Sequence, residues 1–148
     1  MQIMESKESV KGIVMGKVKF FNRLLRSVRR KSAYTGARVH DPKTEKNLSD
    51  RLDENLEWFR AIYADCSDVI FHDFFIGDRT RAVLIYIDGP SHMEEIDQHV
   101  LAPLQRDFPL EPTIPNIRQK IAVSSVKPVQ TVTDAIEEIS GGNPVLLM

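Results

Sequence analysis

The chain is poor in cysteine and has no long apolar run. Its 148 residues include one cysteine, Cys66, which excludes an internal disulfide framework and is typical of a reducing compartment. No run of about 18 apolar residues is present, so the sequence offers no candidate membrane span. The N-terminus also lacks the apolar core and cleavage site of a secretory signal. We therefore expect a chain that is soluble as written and lies on the cytosolic side.

The sequence also lacks strong signatures of catalysis. It contains no Gly-x-Gly-x-x-Gly motif, no P-loop, no Gly-x-Ser-x-Gly motif and no paired-cysteine zinc motif. His92, Glu95 and His99 have a helical spacing that places them on one face of a helix, where they could share a metal. This face supports the hypothesis of a small metal-dependent enzyme. Each residue type is common on solvated helices, however, and no fourth ligand is indicated. We predict a protein that is not an enzyme and that holds no metal and no cofactor.

Charge is distributed unevenly along the chain. The net charge is −1, but residues 1–40 carry ten Lys and Arg against two acidic residues, a net charge of +8. The remainder carries ten basic and nineteen acidic residues, a net charge of −9. Segments of opposite charge indicate different roles. We divide the chain into residues 1–47, a basic extension and linker, and residues 48–148, an acidic domain.

The basic extension has the pattern of an amphipathic helix from Gly12 to Arg30. Apolar residues recur there at steps of three and four. The basic residues around this apolar stripe are Lys17, Lys19, Arg23, Arg26, Arg29 and Arg30. They predict contact with an anionic membrane surface or a partner protein, and a solvated tail is the alternative. Nucleic acid is not expected as a partner, because the acidic domain would repel phosphate.

The acidic domain is predicted to be an α/β fold with the element order α-β-β-α-β-α-β, a mixed β-sheet flanked by helices. The predicted elements are a helix over 48–64, strands over 69–76 and 82–87, a helix from Ser91, a strand over 117–126, a helix from Thr131 and a strand from Val145. The helix from Ser91 is expected to bury Met93, Ile96, Val100 and Leu104. Because a chain rarely ends inside a core strand, we interpret Met148 as a cleavage point or an artificial end.

The segment Ala82–Ile87 is the most informative strand. It does not alternate with polar residues, which predicts that both of its faces are covered and that it is the centre of the sheet. Gly77 and Asp78 form a tight turn before it, so the first two strands should be antiparallel neighbours.

Asp88 and Gly89 follow this strand and are the candidate ligand-binding residues. Ligands of open α/β sheets tend to bind beyond the carboxyl ends of strands. Asp88 would then bind a ligand's amine or accept phosphate, as in an isolated cytosolic regulatory module. The alternative, which we favour, is that Asp88 fixes the turn into the next helix.

Five segments of the acidic domain occur in a characteristic order. They are Leu52–Phe59 (LDENLEWF), Asp65–Phe71 (DCSDVIF), Arg81–Gly89 (RAVLIYIDG), Glu95–Leu104 (EIDQHVLAPL) and Thr133–Leu147 (TDAIEEISGGNPVLL). Together they resemble the amino-terminal region of the A subunit of spore germinant receptors, the GerA family. The resemblance runs from about Leu48 to Met148.

This resemblance implies a cytosolic region that precedes several transmembrane helices in the spore inner membrane. It implies a permease-like B subunit and a lipoprotein C subunit as partners, and a response to small nutrients that triggers germination. It assigns no catalytic residue. It also implies a second α/β half after Met148, so the chain would be the first half of a two-subdomain region, with any shared ligand cleft incomplete.

Overall fold

An antiparallel sheet organises the described part of the chain. The computed structural model describes residues 12–15, 46–89, 92–106, 108–109, 111–121 and 126–148. The strands are β1 (Gly12–Met15), β2 (Val69–Ile76), β3 (Thr80–Ile87), β4 (Val126–Val129) and β5 (Val145–Leu147). Their order across the sheet is β2-β3-β5-β1-β4, and all four pairings are antiparallel.

Helices cover both faces of this sheet, which confirms the predicted α/β class. They are α1 (Leu52–Ile62), α2 (His92–Ile96), a π-helical turn (Asp97–Leu101), α3 (Ala102–Gln105), α4 (Ile114–Lys120) and α5 (Val132–Ser140). Side chains of α1 and α5 pack in one core, while α2, the π-helical turn, α3 and α4 contribute to the other. We call the continuous stretch from α2 through α3 the helical segment.

The predicted hairpin of β2 and β3 is confirmed, and its turn fits closely against a neighbouring segment. Three residues, 77–79, connect the strands, and the Arg79 N–H donates to the Ile76 carbonyl at 3.2 Å. Gly77 and Asp78, at the centre of this turn, have φ angles of 55° and 59°, the left-handed region that type I′ turns require at both central residues. The Gly77 N–H donates to the Leu104 carbonyl at 3.1 Å. A Cβ atom on Gly77 would lie 2.3 Å from the Phe108 carbonyl oxygen. The hairpin tip is therefore held against the end of the helical segment.

Strand β3 is covered on both faces, as its composition predicts. Val83 and Ile85 face the α1 core, and Leu84 and Tyr86 face the opposite core. The middle position of the sheet, however, belongs to β5, which lies between β3 and β1.

An exposed arginine ties α1 to the hairpin. Arg81 Nη1 donates to Asp53 Oδ1 at 2.8 Å, and its Nη2 and Nε donate to the two carboxylate oxygens of Asp73 at 2.7 and 3.2 Å. These hydrogen bonds hold the pKa of Asp73 below its ordinary value. Arg81 thus grips Asp73 on β2 with two bonds and reaches α1 with one, and the solvent exposure of these groups limits their contribution to stability.

The helix predicted from Gly12 to Arg30 is wrong at its first residues. Gly12–Met15 form strand β1, which is buried along its whole length and pairs with β4 and β5. A short apolar run does not distinguish a strand from a helix by periodicity, and pairing with distant strands decided the outcome. The rest of the predicted helix, with its six basic residues, lies outside the described residues.

The strand predicted over 117–126 is also wrong at its first residues, because Ile117 to Lys120 belong to a helix. Helix α4 begins after Thr113, whose hydroxyl accepts a hydrogen bond from the Asn116 N–H at 3.4 Å. Pro115 occupies the first turn, where its missing N–H has no cost. The strand itself forms later, at Val126–Val129.

The burial predicted for the second helix holds for three of its four residues. Ile96, Val100 and Leu104 are buried, whereas Met93 is 48% exposed. Met93 lies at the start of the helical segment, about one turn before Ile96, the first residue of the segment that packs in the core.

Substitution of Gly77 by alanine should lower the free energy of unfolding by about 2–4 kcal/mol, because the new methyl group meets the Phe108 carbonyl in a left-handed backbone. Gly142→Ala is the matched control: Gly142 also has a positive φ of 84°, but no atom lies within 4 Å of the added Cβ. This control should cost only about 1 kcal/mol. Equal losses in urea unfolding would show that the contact with Phe108 is unimportant.

Candidate functional site

A groove runs between strand β2 and the helical segment. Its volume is about 280 Å³, and its lining residues are His72, Asp97, Leu101, Ala102, Gln105 and Arg106. His72 comes from β2, the strand at one edge of the described sheet, four others come from the helical segment, and Arg106 follows directly after it. The groove thus lies between a strand and the helical segment, with one charged group on the segment and one just beyond its end.

The π-helical turn shapes the helical wall of the groove. The Ala102 N–H donates to the Asp97 carbonyl, a bond across five residues that widens the turn. In a regular α-helix, at 100° per residue, Asp97 and Arg106 would face opposite sides. The wide turn changes this register, and Arg106 leaves the helix in an extended conformation with φ −97° and ψ 129°. Both side chains consequently line the same groove, and π-turns of this kind are frequent at functional sites.

The two charged residues of the groove are exposed and have opposite signs. Within the described ranges, neither Asp97 nor Arg106 forms an ion pair with another residue. Between them lie the buried Leu101 and the half-buried Ala102, while Gln105 supplies a neutral amide. The groove therefore combines a negative group, a positive group and a largely uncharged middle.

The charge of Asp97 also acts on Tyr86, near the end of β3. This tyrosine is 3% exposed, and burial raises the pKa of its hydroxyl above the ordinary value, with further contributions from the negative charges of Asp97 and Asp88. Asp97, in the groove, and Asp88, at the strand end, thus act on the same phenol. The negative end of the groove lies on the side of the sheet where β3 ends.

The candidate ligand residues Asp88 and Gly89 lie beside the groove and do not line it. The Asp88 side chain is exposed, and its backbone N–H donates to the Asp68 carbonyl at 2.7 Å. That bond closes the base of the β2–β3 hairpin and involves only the backbone of Asp88, so the role of its side chain in the turn also stays a prediction. A role of Asp88 and Gly89 in ligand binding stays a prediction.

The remaining site predictions fall mostly outside what the structure describes. The basic residues Lys17, Lys19, Arg23, Arg26, Arg29 and Arg30 lie outside the described residues, so their contact with a membrane or partner stays a prediction. Glu95 and His99 are described, and Glu95 Oε2 is buried without a hydrogen-bond partner in the described ranges. Among the described residues, no group of three His, Cys, Asp or Glu side chains is arranged to hold a metal.

Sequence reasoning missed the groove residues, and the sequence offered little signal for them. Asp97 lies in a segment that reads as a regular amphipathic helix, and Arg106 follows its last apolar position. Nothing in the pattern marks the change from α-helical to π-helical register that brings the two together.

The described residues form a small α/β domain with an open groove between β2 and the helical segment. The chain belongs to the family of Bacillus/Clostridium GerA spore germination proteins, whose family profile matches residues 57–148, more than half of the chain. Membership of this family supports a role in spore germination. The resemblance drawn from the five sequence segments is thereby confirmed.

Two relatives from Bacillus subtilis (strain 168) show how the chain compares with longer proteins. It is 27% identical over 104 residues to the uncharacterized membrane protein YfkQ, a match that covers 69% of this chain and 20% of YfkQ. It is 35% identical over 61 residues to spore germination protein B1, covering 40% of this chain and 13% of that protein. The chain thus spans a fifth or less of each relative. No solved structure matches it.

Among the described residues, no helix combines the length and the apolar character needed to cross a membrane.

The raised pKa of Tyr86 predicts a pH dependence of stability. A hydroxyl whose pKa is higher in the folded than in the unfolded chain stabilises the fold below the unfolded value, about 10, and this contribution is lost as the pH rises through the folded pKa. Unfolding in urea from about pH 8 to about pH 11 should show a steeper alkaline loss for the wild type than for Tyr86→Phe. Parallel losses in the wild type and Tyr86→Phe would contradict the assignment.

Proposed function

We propose that this domain is the cytosolic amino-terminal part of an A subunit of a membrane-embedded spore germinant receptor, and that it takes part in nutrient sensing and signal coupling. The observation that carries the proposal is the family match over residues 57–148. That range contains four of the five described strands, β2 to β5, and both walls of the groove. The region shared with the family is therefore most of the described fold, without β1.

The proposal gains support from the lengths and names of the relatives. The match covers 20% of a protein named as a membrane protein and 13% of one named as a spore germination protein. A chain that corresponds to so small a part of its relatives is consistent with one domain of a larger receptor. In this proposal the membrane-spanning part, the permease-like B subunit and the lipoprotein C subunit act together with the domain in the spore inner membrane, and the domain faces the spore core.

The proposed mechanism is binding without catalysis. A ligand or partner subunit shifts a domain between two arrangements only if it binds them with different affinities. The helical segment is suited to such a shift, because it forms one wall of the groove and holds the hairpin tip through the Leu104 carbonyl. Binding of a ligand in the groove would therefore affect β2 and β3 through the helical segment and the hydrogen bond of its Leu104 carbonyl.

The basic residues would place the domain beside the membrane. Lysine and arginine close to an anionic surface contribute about 1 kcal/mol each. Lys17, Lys19, Arg23, Arg26, Arg29 and Arg30 follow directly on β1, so their attachment to a bilayer would hold the sheet next to the membrane surface.

Loss of the gene from the organism that encodes the chain should abolish or slow germination in response to at least one nutrient, measured as the fall in optical density of a spore suspension. The wild-type gene and Gly142→Ala should restore the response, whereas Gly77→Ala should not, because it disrupts the hairpin. Germination by a trigger that bypasses nutrient receptors should be unchanged throughout. Spores that lack the gene and respond normally to every nutrient would refute the proposed role.

The membrane contact has a separate test, which leaves β1 in place. Replacement of the six basic residues by glutamine should remove most co-sedimentation with vesicles that contain anionic phospholipid, and high salt should do the same to the wild type. Vesicles of neutral phosphatidylcholine should bind neither protein. Equal binding of both proteins to the anionic vesicles would show that these residues make no membrane contact.

A further inference from the structure

The groove between β2 and the helical segment has the features of a binding site for one chemical class of ligand. Its volume of about 280 Å³ lies just below the range of about 300–1,000 Å³ that is usual for drug-sized compounds. The groove therefore suits a small molecule. The charges, the polar groups and the length of the groove restrict the chemical class of the ligand.

The charges require a ligand that carries both signs. Asp97 and Arg106 are exposed in the same groove, and neither is paired within the described ranges. A simple anion would be attracted by the guanidinium and repelled by the carboxylate, and a simple cation would meet the reverse. A zwitterion places an ammonium group at Asp97 and a carboxylate at Arg106, so both contacts are charge-assisted hydrogen bonds.

The spacing of the two charges favours an extended ligand. The two residues are nine positions apart in the sequence, and they line opposite ends of the stretch Asp97 to Arg106. Their charged groups are too far apart for an ion pair, since none joins them in the described ranges. A compound that contacts both must carry its charged groups at opposite ends of a chain of several atoms.

The middle of the groove suits the centre of such a molecule. Leu101 is buried and Ala102 half-buried, so they offer an apolar floor, while Gln105 and His72 provide an amide and an imidazole. A peptide bond in the ligand would find hydrogen-bond partners there, and small side chains would contact the floor.

We infer that this groove binds a short, extended zwitterion of the dipeptide type, with its ammonium group at Asp97 and its carboxylate at Arg106. The inference deepens the proposed function and rests on it for its biological meaning. The π-helical turn is the structural device behind the site, because it brings residues that a regular helix would separate into one cleft.

The probe for this site is L-alanyl-L-alanine, titrated into the whole 148-residue protein at low salt and followed by NMR amide shifts. We expect saturable shifts with a dissociation constant of roughly millimolar size, because both contacts are solvent-exposed. N-acetyl-L-alanyl-L-alanine lacks the ammonium group and L-alanyl-L-alaninamide lacks the carboxylate. Each should bind at least tenfold more weakly, and free L-alanine should do so as well because it is too short to span the groove.

Asp97→Asn and Arg106→Gln should each weaken L-alanyl-L-alanine binding at least tenfold, with an unchanged melting temperature. Asp65→Asn and Arg79→Gln are the matched controls: they remove exposed charges of the same signs outside the groove and should leave binding unchanged. Absence of saturable shifts, or binding that both groove variants retain, would overturn the inference. Equal binding of L-alanine would overturn the requirement for an extended ligand.

The outcome is separable from that of the proposed function. Spores that lose their nutrient response with the gene, combined with a domain that binds no dipeptide, would refute the site and leave the receptor role standing. Dipeptide binding that requires both groove residues, in a protein whose gene is dispensable for germination, would support the site and refute the role.

Discussion

The described fold depends on the pairing of one short strand, β5. Val145–Leu147 pair with β3 on one side and with β1 on the other, and all three residues are fully buried. Without them the β2–β3 hairpin and the β1–β4 pair would have no hydrogen-bonded link in the described sheet. The same three residues also join the two cores, since Leu146 points into one and its two neighbours into the other. A strand of three residues suffices because it is covered on both faces and paired along both edges.

Local signals in the sequence predicted those elements whose ends are marked by side-chain chemistry. Gly77 and Asp78 required the hairpin turn, and the run of β-branched and aromatic residues on either side required strands. Helix α5 was predicted from Thr131, whose hydroxyl indeed accepts from the Asp134 N–H at 3.1 Å, and from the two glycines at its end. In these cases tertiary structure agreed with local preference.

The elements that were missed have ends or partners that local pattern does not reveal. Gly12–Met15 read as the start of a helix because Val14 fits an apolar stripe that continues to Val28, yet its partners are residues 126–129 and 145–147. The apolar residues of 117–126 fit a strand, and only the N-cap at Thr113 indicates that a helix begins just before them. The groove could not be predicted from the sequence for a related reason. It depends on a change of helical register between Asp97 and Ala102, and no sequence pattern indicates that change.

The position of β1 determines which strands would bear a force applied through the basic residues. Met15 is held by the Pro144 carbonyl at 2.9 Å, and the chain re-enters the sheet where Leu48 donates to the Gln130 carbonyl at 2.8 Å and the Lys46 carbonyl accepts from Val132. The chain thus joins the same sheet on both sides of residues 16–45, at Met15 and at Lys46. A force applied to residues 16–45, for example by a surface to which the basic side chains adhere, would be borne jointly by β1 and by the start of α5. It would act on β1, an inner strand of the described sheet that lies between β5 and β4.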